Sequence, residues 1–410
     1  MTASDSQSSS SRRFDLVLFG ATGFTGRLTA RYLARHAPAG LRWAIAGRRR
    51  EGLDEVVAEL DGDVEDEIGS DGTRPDVLVA DSADRASLDA MARATRVVAT
   101  TVGPYARFGE PLVEACIAAG THYADITGEP EFVGRLLERH DEAARAAGAR
   151  IVSCCGFDSV PHDLGALLAV RQLPNDLPIR LDGFVRVRGG GISGGTWRSA
   201  VEAMAEPSKT LGAFKRLGSG ERGACGGRSI RSGPRKIRRE PLFGEWVAPL
   251  PTIDPWMVLR SACALEDYGP RFHYAHFVRV GSLPKLVAGA SFVGGTATLA
   301  RFGPTRRWLL SLHPSGEGPS ERRRERTRFD VVFQGRAGDG DDGPRTVVEV
   351  SGGDPGYDET SKMLAESALC LVFDEDRLPD RAGILTPAMA FEERLIERLR
   401  AAGMGFDVVE

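Results

Sequence analysis

Residues 14–36 read FDLVLFGATGFTGRLTARYLARH, an apolar run that breaks at glycine and resumes as helix-compatible sequence ending near His36. The spacing predicts a strand, a tight turn and a helix N-terminus. Each glycine has a separate task in such a unit. Gly20 permits the turn, Gly23 lets the backbone approach a phosphate, and Gly26 lets the helix sit close to the strand, while the first-turn N–H groups favour an anion. The loop Gly20, Ala21, Thr22, Gly23, Phe24, Thr25 and Gly26 is therefore expected to bind the pyrophosphate of a dinucleotide. Its G-x-x-G-x-x-G spacing is that of several nicotinamide reductases. A P-loop is excluded, because no Gly-Lys-Ser/Thr follows.

The neighbouring segments extend the unit. Leu41 to Ala46 is a short apolar run ending in Gly47-Arg48-Arg49-Arg50, where a second strand would meet the adenosine ribose. An NAD site places a carboxylate there and an NADP site an arginine. Arginines without an acid favour NADP(H) over NAD(H), with Arg48 as the phosphate ligand; the competing reading is a solvated basic loop. A third strand, Asp76 to Ala80, leads to Asp81 and Ser82, expected beside the adenine. A fourth, Arg96 to Thr101, runs into Gly103, Pro104 and Tyr105, which should flank the nicotinamide, because ligands of open parallel sheets bind at strand carboxyl ends. His122 to Ile126 and Ala149 to Cys154 read as further strands, preceded by helix-like Pro111 to Ala119 and Glu131 to Ala147. This alternation predicts an α/β fold with a doubly wound parallel sheet.

At 410 residues the chain suggests two or three lobes. Its 42% hydrophobic and 27% charged residues are globular values, and a net charge of -4 argues against a general nucleic-acid binder. Six cysteines without C-x-x-C spacing read as buried thiols in a reducing cytoplasm. The Ser-rich start, residues 1–13, lacks an apolar core and reads as a disordered tail, not a signal peptide. Asp61 to Arg74 reads as a solvated acidic insert.

Beyond residue 178 the pattern changes. Ile179 to Arg188 reads as a strand, a glycine-rich turn leads to helix-like Trp197 to Ala205, and Lys209 to Arg239 is basic. That run is either a solvated loop or a contact with an acidic carrier, a coenzyme phosphate or an anionic membrane. Leu286 to Ala300 is apolar but too short to span a bilayer. Internal packing is its first reading, and a lipid-facing role with Phe302, Trp308, Leu309 and Leu310 its second. Phe329 to Phe333 and Thr346 to Val350 predict a returning strand pair, and Ser361 to Val372 and Ala388 to Ala402 predict helices.

The segments Gly20 to Gly26, Ala46-Gly-Arg48, Gly103-Pro-Tyr105, Tyr123-Ala-Asp-Ile-Thr-Gly-Glu129, Gly156-Phe-Asp-Ser-Val-Pro161, Gly353-Asp-Pro-Gly-Tyr357 and Leu385-Thr-Pro387 together resemble the saccharopine dehydrogenase family, and within it the branch that holds the mycobacterial trans-acting enoyl reductases. The resemblance spans nearly the whole chain. It implies a Rossmann-type domain over 14–178, an inserted α+β domain over 179–352, and a C-terminal helical segment over 353–410 that returns to the first domain.

In activity, it implies NADPH-dependent reduction of a carbon–carbon double bond in polyketide-derived chains bound for envelope lipids. The first alternative is a saccharopine-type imine dehydrogenase, whose polycarboxylate substrate would need convergent arginines. The second is a nucleotide-binding scaffold without turnover. For enoyl reduction, Tyr105, Asp158 and His122 are the candidate catalytic residues, with His162 supporting Asp158. No spacing points to a metal. The expected partner is an acyl or lipid-like substrate, free or carrier-bound. A cytoplasmic location with peripheral contact at the inner membrane face and a homo-oligomer complete the expectations.

Overall fold

A computed structural model describes residues 12–67, 73–189, 194–205, 212, 225–312, 318–340 and 342–410. Residues 1–11 of the Ser-rich start, 68–72 of the acidic insert and 213–224 of the basic run lie outside the described residues. The chain divides into two compact units. One holds Met1–Thr127, Arg135–Gly156 and Thr360–Leu385; the other holds Gly128–Gly134, Phe157–Glu359 and Thr386–Glu410.

The first unit is built on seven strands: β1 (Phe14–Phe19), β2 (Trp43–Gly47), β3 (Asp76–Val79), β4 (Thr95–Thr100), β5 (His122–Asp125), β6 (Arg150–Val152) and, late in the chain, β14 (Gly383–Leu385). They lie in the order β14-β6-β5-β4-β1-β2-β3, and every neighbouring pair is parallel. All of β2 and all of β1 except Asp15 are buried. Helices covering both faces of a parallel sheet require this, so the strands read as unbroken apolar runs without alternation. The helix Phe24–His36 buries Gly26, Thr29, Ala30, Leu33 and Ala34, one stripe at helical spacing. The order in which strands are added reverses between β1 and β4, the point at which such sheets open a crevice at their strands' carboxyl ends.

Two helix boundaries differ from expectation. The Pro111 helix begins earlier, at Tyr105, with Pro104 at its N-cap and Pro111 inside it. The stretch 131–147 forms two helices, Pro130–Arg139 and Asp141–Ala146, broken where His140 leaves helical geometry at φ -125° and ψ -9°.

The second unit carries a mixed eight-stranded sheet from β7 (Ile179–Arg188), β8 (Ser229–Ser232), β9 (Arg238–Glu240), β10 (Glu245–Pro249), β11 (Arg271–Gly281), β12 (Arg328–Ala337), β13 (Arg345–Gly352) and β15 (Gly405–Val408). Its order is β15-β13-β12-β7-β11-β10-β9, with β8 pairing β11. The helix Val160–Val170, buried along its whole length, belongs to this unit. At Gly165 a Cβ would sit 2.3 Å from Phe333 Cε2, so glycine sets how closely helix and sheet approach. Residues 353–410 do not go one way. Thr360–Leu385 joins the first unit through β14 against β6, and Thr386–Glu410 joins the second through β15 against β13.

Two expectations are overturned here. The apolar stretch forms the helix Leu283–Ala300 but does not pack internally, since only Thr296 and Ala300 are buried. Nor are all six cysteines thiols. Cys225 and Cys263 form a disulfide with Cα atoms 4.5 Å apart, while Cys116, Cys154, Cys155 and Cys370 are free and buried. Arg228 binds the Cys263 and Leu265 carbonyls and aligns the two segments; a sequence separation of 38 gives no local signal for the pairing.

Candidate functional site

The glycine loop connects β1 to the helix Phe24–His36 in the first unit. Gly20 has φ +94°, a left-handed conformation that glycine adopts without strain. A Cβ at Gly20 would meet Thr101 Oγ1 at 2.7 Å, and one at Gly26 would meet the Gly20 carbonyl oxygen at 2.2 Å. At Gly23 the nearest atom would be 3.4 Å away. Internal packing thus demands glycine at positions 20 and 26, whereas at 23 a methyl group would only touch the Gly20 carbonyl oxygen at van der Waals distance. No side chain caps the helix that Gly23 begins. An open cradle at an uncapped helix N-terminus fits a dinucleotide pyrophosphate.

Arg48 follows the carboxyl end of β2, exposed and without an ion pair among the described residues, whereas Arg50 is taken up by Asp54 at 2.9 Å. Its free guanidinium suits a ribose phosphate. Asp81 and Ser82 are half-buried. The Asp81 carboxylate accepts from Ala83 N at 3.0 Å, and its own N–H donates to Ser87 Oγ at 3.0 Å, so this carboxylate folds its turn. Gly103 is exposed, and Pro104 opens the next helix.

The three catalytic candidates have different surroundings. Tyr105 is 6% exposed; its hydroxyl donates to the Thr100 carbonyl at 3.0 Å and accepts from Ile126 N at 3.4 Å, which ties β4 to β5. His122 starts β5, at the sheet edge opposite the strand carboxyl ends. Its Nε2–H donates to Glu375 at 3.1 Å and its Nδ1 accepts from Arg150 N at 3.1 Å. Both nitrogens are committed, and this bond first, then Arg96, holds Glu375 down at about 2 against its burial. Asp158 lies in the second unit, half-buried, and its carboxyl is pushed up to about 8 by desolvation and then by the charge of Asp254. A Cβ at Gly128 would stand 2.8 Å from Asp158 Oδ2, so that glycine makes room for the carboxylate.

Asp254 and His276, which meet His162, were not legible in the sequence. Asp254 is buried, accepts from Thr252 Oγ1 at 2.5 Å, and lies 3.3 Å from His162 Nδ1. Burial would raise it, but the His162 and His276 rings hold it below the usual carboxylate range. His162 Nδ1 also donates to the Phe157 carbonyl at 2.9 Å, and the Tyr274 hydroxyl meets His276 Nδ1 at 2.8 Å. Desolvation first, then the neighbouring ring, pushes His276 down to about 3. Donor atoms of His162, Asp254 and His276 come within 4.8 Å of one another, as do those of Glu110, Glu114 and His140 on the first unit. The second group already neutralises itself with Arg135 and Arg139.

A second missed carboxylate closes β5. Asp125 is fully buried and accepts from the N–H groups of Thr127 and Cys154 and from the Tyr123 and Ser153 hydroxyls. Burial raises it to about 6 against those four donors. It fixes Cys154 in a left-handed conformation at φ +66°, unusual for a residue with a side chain. The run Tyr123-Ala-Asp-Ile-Thr-Gly-Glu129 contained it, but only its place at a strand end marks it out.

Among the described residues no helix is long and apolar enough to cross a membrane. The saccharopine dehydrogenase NADP binding domain matches residues 16–152, the span that holds the cradle and Arg48, and the first unit accordingly binds NADP(H). A Mycobacterium tuberculosis protein whose name assigns it provisionally as a trans-acting enoyl reductase is 39% identical over 420 residues, covering 96% of this chain and 97% of the relative. A trans-acting enoyl reductase of Mycobacterium bovis is 34% identical over 423 residues, with 96% and 97% covered. Among solved structures, apo saccharopine dehydrogenase (L-Glu forming) from Saccharomyces cerevisiae matches with a TM-score of 0.53 at 12% identity, over 97% of this chain and all of that one, a likeness of fold. The chain belongs to the saccharopine dehydrogenase family, among the relatives of the mycobacterial trans-acting enoyl reductases.

Proposed function

We propose that this chain is an NADPH-dependent enoyl reductase of acyl thioesters, on a carrier or on coenzyme A, working on the cytoplasmic side where NADPH is regenerated. The observation that carries the reading is the uncapped helix N-terminus at Gly23 with Arg48, unpaired among the described residues, at the next strand end. The names of the full-length relatives support the enoyl substrate over an imine. Bound in the cradle, NADPH supplies a hydride for the β-carbon. A proton must then reach the α-carbon, and the reduced acyl chain leaves with both.

Asp158 is the proton donor in this reading. Its carboxyl, held up at about 8, carries the proton at neutral pH, and partial exposure lets it recover a proton from water. Asp254 is a positioning residue, a buried anion whose charge keeps that proton on Asp158. Tyr105 is a weaker donor, because its hydroxyl proton already serves the Thr100 carbonyl.

Fluorescence titration with NADPH and NADH tests the cofactor half. Arg48→Ala should lose the NADPH preference by about 1–3 kcal/mol, the worth of a charge-assisted contact. Turnover tests the other half: crotonyl or longer enoyl thioesters should be reduced, and a keto acid with an amine should not. Reduction of the second pair alone would make the chain an imine dehydrogenase. Binding without either turnover would make it a scaffold.

A further inference from the structure

The helix Leu283–Ala300 and the following helix Gly303–Ser311 expose a surface that no other described part of the chain covers. Leu283, Val287, Phe292, Val293, Phe302 and Trp308 are each 48–61% exposed. A Cβ at Gly289, Gly294 or Gly295 would meet nothing within 4 Å. Among the described residues the pair is anchored along one seam, where the half-exposed Phe292 ring also tilts against Trp197 at 6.2 Å between centroids. There Trp197 and Val201 of the helix Gly194–Ala205 bury Ala300 and Leu309, and Trp197 Nε1 donates to the Leu309 carbonyl at 2.7 Å.

Exposure alone does not name an occupant; its distribution does. At about 100° per residue, Val287 lies roughly 40° around the axis from Leu283, Phe292 about 180° and Val293 about 280°. The apolar side chains therefore point in nearly every direction. A protein partner covers one face of a helix, whereas lipid wets all of them. Charge gives the second argument. Residues 283–312 contain Lys285, Arg301, Arg306 and Arg307 and no acidic residue, and none of the four forms an ion pair among the described residues. A second copy of this surface would set cations against cations. An anionic lipid headgroup layer offers the opposite charge, with Trp308 beside Arg307 and Phe302 beside Arg301 at the level where aromatics and cations settle.

We propose that residues 283–312 form a helical pair that docks this chain on a lipid surface with anionic headgroups, inserted among them without crossing. The proposal stands independently of the reaction. Full-length protein is floated with vesicles of phosphatidylcholine alone and with phosphatidylcholine plus phosphatidylglycerol. It should float with the second and much less with the first. Arg301→Ala/Arg307→Ala should cut partition about thirtyfold, the worth of two cations near an anionic surface. Phe292→Ser/Trp308→Ser should remove the salt-resistant part of flotation with circular dichroism unchanged, which separates docking from misfolding. Equal flotation with both vesicles overturns the headgroup assignment. No flotation overturns the proposal; if the chain is then a dimer that Phe292→Ser/Trp308→Ser dissociates, the surface belongs to a second copy.

Discussion

At Gly26 a methyl group would press on the Gly20 carbonyl at 2.2 Å, and at Gly23 it would only touch the same oxygen at 3.4 Å. That difference separates a folding role from a binding role within one loop. Gly26→Ala should lower thermal stability by about 1–3 kcal/mol or more, since the backbone must shift to relieve the overlap. Gly23→Ala should unfold at the wild-type temperature yet bind NADPH at least about tenfold more weakly, as lost phosphate contacts require. Calorimetry with a fluorescence titration reads both, and equal effects on stability would remove the case for a cradle. Asp158 makes a prediction in pH. Its folded value is raised from 3.8 to about 8, so below both values folded and unfolded chains alike hold the proton. Between them the folded chain keeps a proton that the unfolded chain has lost, so this group's contribution to stability declines as pH rises through that window. As proton donor it should also let turnover fall as pH passes about 8. Asp158→Asn should flatten the stability slope and cut turnover ~10²–10⁴-fold while NADPH binding persists. A variant that turns over normally would end the assignment.

At the scale of elements, Tyr105 is a latch between strands. Tyr105→Phe removes the hydroxyl from the Thr100 carbonyl and Ile126 N–H and should cost about 1 kcal/mol, leaving turnover near wild type. Loss of turnover at unchanged stability would return Tyr105 to the chemistry. The same latch shows what the sequence can disclose. The β1 strand, the glycine loop and the helix to His36 were legible, because parallel strands buried on both faces are continuous apolar runs and the glycines mark the turn. The strand Ile179–Arg188 was legible to the residue. The meeting of His162 with Asp254 and His276 was not, since these stand 92 and 114 residues beyond it along the chain and reach it only through the fold. Asp125 and His122 sit at opposite ends of one four-residue strand. Residue type favoured the histidine, and strand direction, which only the sheet order supplies, favours the aspartate. The exposed helix Leu283–Ala300 was misread for a related reason: apolar composition alone cannot distinguish a core from a lipid face.

At the scale of the whole molecule, charge is segregated. The chain carries -4 at pH 7, yet residues 283–312 hold four cations and no acid, so everything outside them sums to -8. A uniformly spread charge of that sign would be repelled by anionic lipid. Docking must therefore be local, with the cationic hairpin facing the headgroups and the acidic remainder held away from them by more than a Debye length, about 8–10 Å at physiological salt. Salt then acts on two opposed terms. It screens the attraction of the four cations at close range, and it screens the repulsion of the remainder more completely, because that acts over a longer distance. The apolar side chains are insensitive to it. Flotation with phosphatidylglycerol vesicles should accordingly weaken with rising salt by less than four fully screened contacts would give, and level off at a plateau set by Phe292, Phe302 and Trp308. Phe292→Ser/Trp308→Ser should lower that plateau without changing the slope, and Arg301→Ala/Arg307→Ala should reduce the slope without changing the plateau. A salt series on the three proteins measures both. Binding that falls to nothing at high salt would reduce the hairpin to an electrostatic patch and remove insertion from the account.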